Sequence, residues 1–149
     1  MDTEAIKSCI PHRDPFLWVD EVVELTDSRI RARKFVDPTL DVFRGHYPNQ
    51  PILPGVLLCE AAMQAGAILI SKRPEAAVAD GQVPVATRIN NVKFRQMVRP
   101  GDVLDIEVTL TERHANAYFL EGKVSVGDKV AMRFDFACSL ATPEPTRSA

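Results

Sequence analysis

Between Val56 and Ile70 the chain is apolar almost all round, and only Glu60 and Gln64 interrupt it. Those two stand four residues apart and therefore share one face of a helix. A helix without a polar side is one that the rest of a protein covers. Pro54 suits its first turn, and Lys72-Arg73 followed by Pro74 supplies a basic end and a stop. Beyond Pro74 the period changes to that of strands. Leu104, Ile106, Val108 and Leu110 alternate with Asp105, Glu107, Thr109 and Thr111; Tyr118, Leu120, Val124 and Val126 alternate with Phe119, Glu121, Lys123 and Ser125. Val130, Met132, Phe134, Phe136, Cys138 and Leu140 alternate with smaller or polar neighbours, and Gly127-Asp128 marks a hairpin turn before them. This is the pattern of an antiparallel sheet buried on one face. Residues 85–98 form a longer and less regular strand, with Asn90-Asn91 in its middle.

Ahead of the helix, residues 2–8 predict a short helical turn. Pro15 to Val19 is an apolar run that continues through Val22, Val23 and Leu25 as a strand, and Thr26-Asp27-Ser28 supplies a turn. Arg29 to Val36 then alternates, with Ile30, Ala32 and Val36 on one side and Arg29, Arg31 and Arg33 on the other. Residues 37–43 connect onward with a turn of helix, 75–82 form a loop, and the polar tail 142–149 is expected to be mobile. One long apolar helix and five or six strands fit an α+β arrangement in which a curved antiparallel sheet wraps the helix. The expectation is a single domain over residues 1–149, in which Ala61, Ala62, Ala65, Gly66 and Ala67 let the sheet come close.

Composition narrows the picture further. A content of 46% hydrophobic and 26% charged residues is that of an ordinary globular chain, and a net charge of −2 exerts no pull toward nucleic acid or anionic membrane. The three cysteines, Cys9, Cys59 and Cys138, are odd in number and lack metal-type spacing, and Cys59 and Cys138, in apolar segments, read as small core residues in a reducing, cytoplasmic setting. The acidic start lacks the apolar core of a secretory signal, and Glu60 together with Pro54-Gly55 weighs against a membrane span over 52–70. Three scattered histidines give no metal cluster, and no cofactor is expected.

The candidate chemistry sits at the helix. Pro48, Pro51 and Pro54 recur every third residue, as in a polyproline II turn, and stiffen the approach. No Ser, Thr, Asp or Asn occupies the cap position, so the first helical N–H groups are free to meet a ligand oxygen, and Gly55 lets another group come close. A carboxylate on so apolar a helix is costly unless paired or protonated, which makes Glu60 a candidate acid. His46 lies just upstream with the intrinsic chemistry of a base.

The run Gly45-His46-Tyr47-Pro48, Pro51-Ile52-Leu53-Pro54-Gly55-Val56-Leu57, Glu60-Ala61 and Gln64 resembles the signature of the FabZ-type beta-hydroxyacyl-(acyl-carrier-protein) dehydratases, which have the hotdog fold. Ile10-Pro11-His12-Arg13, Pro15-Phe16-Leu17 and Val19-Asp20 are similar to that family's opening motif. Val92-Lys93-Phe94-Arg95 and Pro100-Gly101-Asp102 resemble a later one, so the likeness extends over residues 6 to 141.

The resemblance implies dehydration of 3-hydroxyacyl thioesters to trans-2-enoyl thioesters in fatty acid synthesis or a related acyl pathway. It also implies His46 as base, Glu60 as acid, the Gly55 N–H as donor to the thioester carbonyl, and Gln64 as the residue orienting the acid. It implies that His46 and Glu60 meet across a homodimer, which can assemble further into a trimer of dimers. Leu53, Val56, Leu57 and Met63 are candidates for the wall of an acyl tunnel, with core packing as the competing reading. Arg88, Lys93, Arg95 and Arg99 are candidates for docking an acidic carrier protein, with protection of a strand edge as the alternative. His12 lies in a family motif but is assigned no chemical role. Asp14 and the segment 84–91 depart from the family pattern in a region that bears on chain-length preference. The rival readings are a hotdog acyl thioesterase and a non-catalytic acyl-binding subunit.

Overall fold

The computed structural model describes residues 1–76 and 81–142. Its centre is helix α2, Gly55–Ser71, which buries Leu58, Ala61, Ala62, Ala65, Ile68, Leu69 and Ile70. Around α2 curves one six-stranded antiparallel sheet, in the order β1-β2-β4-β5-β6-β3. The strands are β1 Glu21–Leu25, β2 Arg29–Phe35, β3 Val83–Phe94, β4 Val103–His114, β5 Ala117–Val126 and β6 Lys129–Ala141. A short helix α1, Thr3–Cys9, precedes them, capped by Asp2, whose side chain accepts from the Ala5 N–H at 2.9 Å. Asp41–Arg44 forms a 3-10 turn in the connector before α2.

The period-2 pattern translates directly into register. Ile30 faces Val108, Ala32 faces Ile106, and Ile106 in turn faces Val124, so these side chains share the inner face. All five are essentially inaccessible to solvent. Their neighbours Arg29, Arg31 and Arg33 point outward and pair with Glu24, Glu107, Glu21 and Asp105 at 3.0–3.7 Å. Exposed pairs of this kind contribute little each. The sheet approaches α2 where side chains are missing. A Cβ on Gly66 would lie 2.8 Å from Phe136 Cζ, and one on Gly122 would lie 2.4 Å from Phe134 Cε1. Phe134 and Phe136 stack with their centroids 4.9 Å apart, filling the space those glycines leave.

Two expectations change. The run Pro15 to Val19 is not a strand; β1 begins only at Glu21. The Trp18 N–H that a ladder would use donates instead to Gln64 Oε1 at 2.8 Å. The residues after it are anchored by Asp20, which accepts from the Phe35 N–H at 2.7 Å and from Lys34 Nζ at 3.1 Å. Residues 10–20 therefore form a strap laid across α2. The strand expected over 85–98 runs instead over Val83–Phe94, and its irregularity is two register shifts, one between Ala86 and Arg88 and one spanning Asn90 to Lys93, where Asn91 has a positive φ of 55°. Most of the expected mobile tail, 143–149, and residues 77–80 of the expected loop lie outside the described residues.

Candidate active site

Glu60 projects from the second turn of α2 into a cleft of about 290 Å³ between the strap, α2 and the start of β3. Pro11, His12, Met63, Gln64, Ala67, Val83, Val85, Ala86 and Cys138 line it with Glu60. Gln64, one turn along, is 1% exposed. Its amide donates to Glu60 Oε1 at 3.2 Å and to the Phe16 carbonyl at 2.9 Å, and it accepts from the Trp18 N–H. Both amide hydrogens are thereby used. Gln64 is a tie between strap, helix and carboxylate rather than a group open to a ligand.

His46 follows the 3-10 turn. Its Nδ1 lies 2.9 Å from the Ile52 carbonyl oxygen, which can only accept, so Nδ1 carries the proton and Nε2 presents its lone pair. Tyr47, at a φ of 53°, packs its ring against the imidazole edge-on at 4.7 Å. Tyr47 and Ile52 also line a second cleft of about 780 Å³ with Gln50, Pro51, Met97, Arg99 and Pro100. His46 does not line the cleft at Glu60, and no hydrogen bond or ion pair joins the two side chains within the chain.

At the start of α2 no side-chain cap is present. The close approach that Gly55 allows is taken up by Phe94 from the end of β3, since an added Cβ would lie 2.6 Å from its ring. Among the apolar candidates, Met63 lines the cleft at Glu60, Leu53 is buried in the core, Leu57 packs partly buried against it, and Val56 is exposed. The four basic candidates do not form one patch. Lys93 and Arg95 border a groove on the outer sheet face that also holds Glu107, Glu121 and Asp135, Arg88 borders another, and Arg99 lines the cleft beside His46.

One neighbour of Glu60 was given no role from the sequence. His12 Nε2 lies 3.7 Å from Glu60 Oε1. The Pro-His-Arg motif was visible, but nothing local shows that it folds back onto a residue 48 positions later.

This layout has close relatives. A FabA-like domain model matches residues 10–135. The chain is 42% identical over 142 residues to the 3-hydroxyacyl-[acyl-carrier-protein] dehydratase FabZ of Symbiobacterium thermophilum, with 93% of this chain and 98% of that protein covered. The chain belongs to the FabZ-type branch of the FabA-like family. The FabZ of Rhizorhabdus wittichii is 38% identical over 144 residues, covering 96% of this chain and 91% of its own. Among solved structures, the dehydratase heterocomplex ApeI:P of Xenorhabdus doucetiae superposes with a TM-score of 0.74 at 18% identity, covering 93% of this chain and 91% of its own. A hypothetical thioesterase from Streptococcus pneumoniae superposes at 0.62 and 11% identity, covering 84% of this chain and 88% of that one. Such distant structural likenesses establish the hotdog fold, which FabZ proteins share with thioesterases, while the sequence likeness selects the FabZ branch.

Proposed function

We infer that this chain dehydrates 3-hydroxyacyl-(acyl-carrier-protein) thioesters to trans-2-enoyl thioesters in fatty acid synthesis. The 42% identity across 98% of a FabZ dehydratase carries the reading. In the proposed reaction His46 Nε2 removes a proton from the carbon next to the thioester carbonyl. The uncapped start of α2, with the Gly55 N–H, receives the developing negative charge on the carbonyl oxygen. Glu60 gives its proton to the departing 3-hydroxyl, which leaves as water while the electron pair of the broken C–H bond becomes the new double bond. The fixed Nδ1–H of His46 supports the first role, and the hold of Gln64 on Glu60 supports the last.

Within one chain no contact joins His46 to Glu60 and His46 does not line the cleft at Glu60, so we read the site as completed by a second copy. The argument for that copy is β3, twelve residues long, which among the described residues pairs with β6 alone and has no strand on its other edge. Its concave side runs past α2, leaving Ile89 46% and Phe94 53% exposed. An edge this long, with Ile89 and Phe94 uncovered beside it, is one that a second strand can cover. Pairing β3 with its symmetry mate would bring the cleft at Glu60 of one protomer toward His46 of its partner. Arg99, at the rim of the cleft beside His46, is the basic candidate best placed to meet an acidic carrier protein. Cytoplasmic residence fits three buried cysteines that are all free thiols.

The test is direct. Incubation with a 3-hydroxyacyl-carrier substrate yields the enoyl thioester if the reading holds. Release of free thiol instead identifies a thioesterase, and no product at all leaves an acyl-binding subunit.

A further inference from the structure

Glu60 has two oxygens, and the chain treats them unequally. Oε1 accepts from Gln64 at 3.2 Å and is the oxygen nearest His12 Nε2, whereas Oε2 has no hydrogen-bond partner among the described residues. His12 Nδ1 is fully buried and also unpartnered. A proton on Nδ1 would have no acceptor, while one on Nε2 faces a carboxyl oxygen. The ring therefore presents Nε2–H to Oε1. Its 3.7 Å separation is longer than a hydrogen bond, within reach of one if the carboxyl or the imidazole shifts by less than about 1 Å during the reaction.

The imidazole is held in place by its own backbone. Arg13 donates to the carbonyls of His12 at 2.7 Å, Ile10 at 2.9 Å and Lys7 at 3.1 Å, tying the start of the strap to the end of α1. Gln64 holds the strap again at Phe16 and Trp18. His12 thus sits on a segment fixed on both sides of it. The other groups facing Glu60 in the cleft are apolar or are the thiol of Cys138, whose pKa burial pushes up to about 12.

We propose that His12 is a positioning residue for the dehydration: with Gln64 it holds Oε1 of Glu60, leaving Oε2 as the oxygen that hands its proton to the 3-hydroxyl. This rests on Glu60 being the acid. His12 does not touch the reacting atoms in this arrangement; it sets which carboxyl oxygen does.

His12→Phe keeps the ring volume and removes the donor, while His12→Gln restores an N–H near the position of Nε2. With each purified variant matched to the parent in thermal stability and oligomeric state, kcat of His12→Phe should fall about 10-fold or more. That is the size of one hydrogen bond to a charged group. KM should stay within about twofold, because a transition-state interaction alone is removed. His12→Gln should recover most of kcat. Wild-type kcat in His12→Phe, a rise in KM alone, or equal losses in both variants would overturn the proposal. If His12→Phe does not fold, His12→Leu replaces it under the same criteria. Glu60→Gln is measured alongside: retained turnover there removes Glu60 as the acid, whereas a dead Glu60→Gln beside a fully active His12→Phe removes only the role of His12.

Discussion

The two edges of the sheet are built differently. β1 is five residues long, carries an irregularity between Val22 and Glu24, and bears outward charges that pair with the arginines of β2. Its free side is bridged by the chain's own start, where the Val22 N–H donates to the Met1 carbonyl at 3.0 Å and the Met1 ammonium donates to the Val22 carbonyl at 2.9 Å. These are the usual protections of an edge. β3, at the other side, also carries register shifts and basic residues, but it is twelve residues long and leaves Ile89 and Phe94 exposed on its concave face. No described segment of the chain lies against it. One edge is closed from within, and the other is the one we propose a second chain covers.

If that difference has the meaning proposed, the largest effects come from separating the two halves of the site. His46→Ala and Glu60→Gln, each assayed alone, should lose about 10²–10⁴-fold in turnover. Mixing the two after reversible dissociation should restore activity, because hybrids regain one intact His46–Glu60 site. Failure of the mixture to exceed its components, with subunit exchange verified, would place both groups of a site in one protomer. Next in size, Ile89→Lys puts a charge on the open edge and should shift the protein toward monomer in sedimentation, with activity falling in step; a fully associated variant would show that the edge is not the interface.

An interior change supplies the control. Gly122→Ala forces Phe134 to move and should destabilise the fold by about 1–3 kcal/mol in denaturant titration, without altering association while the protein is folded. The smallest effect concerns how firmly β3 stays on α2. Cys138 lies beneath the start of β3, and with its thiol pushed up to about 12 it is almost wholly protonated at pH 8. It should resist alkylation there over hours, and rapid labelling would reveal that the cleft at Glu60 or the start of β3 opens far enough to admit the reagent.

Much of this could be read in advance because it depends on period and local chemistry. The α2 span, the alternation of β2, β4, β5 and β6, and the hairpin at Gly127 follow from residues close together in sequence. The strap did not. Leu17, Trp18 and Val19 look like a strand, and only a glutamine 46 residues later, taking the Trp18 N–H, shows why they are not one. The same distance hid His12. The site was half legible: Glu60, Gln64 and His46 were nameable from the motif, yet the placing of His46 away from the cleft that Glu60 and Gln64 share depends on how α2 and its proline-rich approach are oriented. Arg88, Lys93, Arg95 and Arg99 share a charge and a stretch of chain, but strand alternation and two register shifts send them to different surfaces.

Gln64 joins folding to chemistry in a single side chain. An exchange to glutamate alters one atom, but it would deprive the Phe16 carbonyl of its donor and set two carboxylates one turn apart. An exchange to leucine would preserve volume and release the strap. In a saturation survey of α2, position 64 should therefore tolerate the fewest replacements, failing by loss of folded protein as often as by loss of turnover.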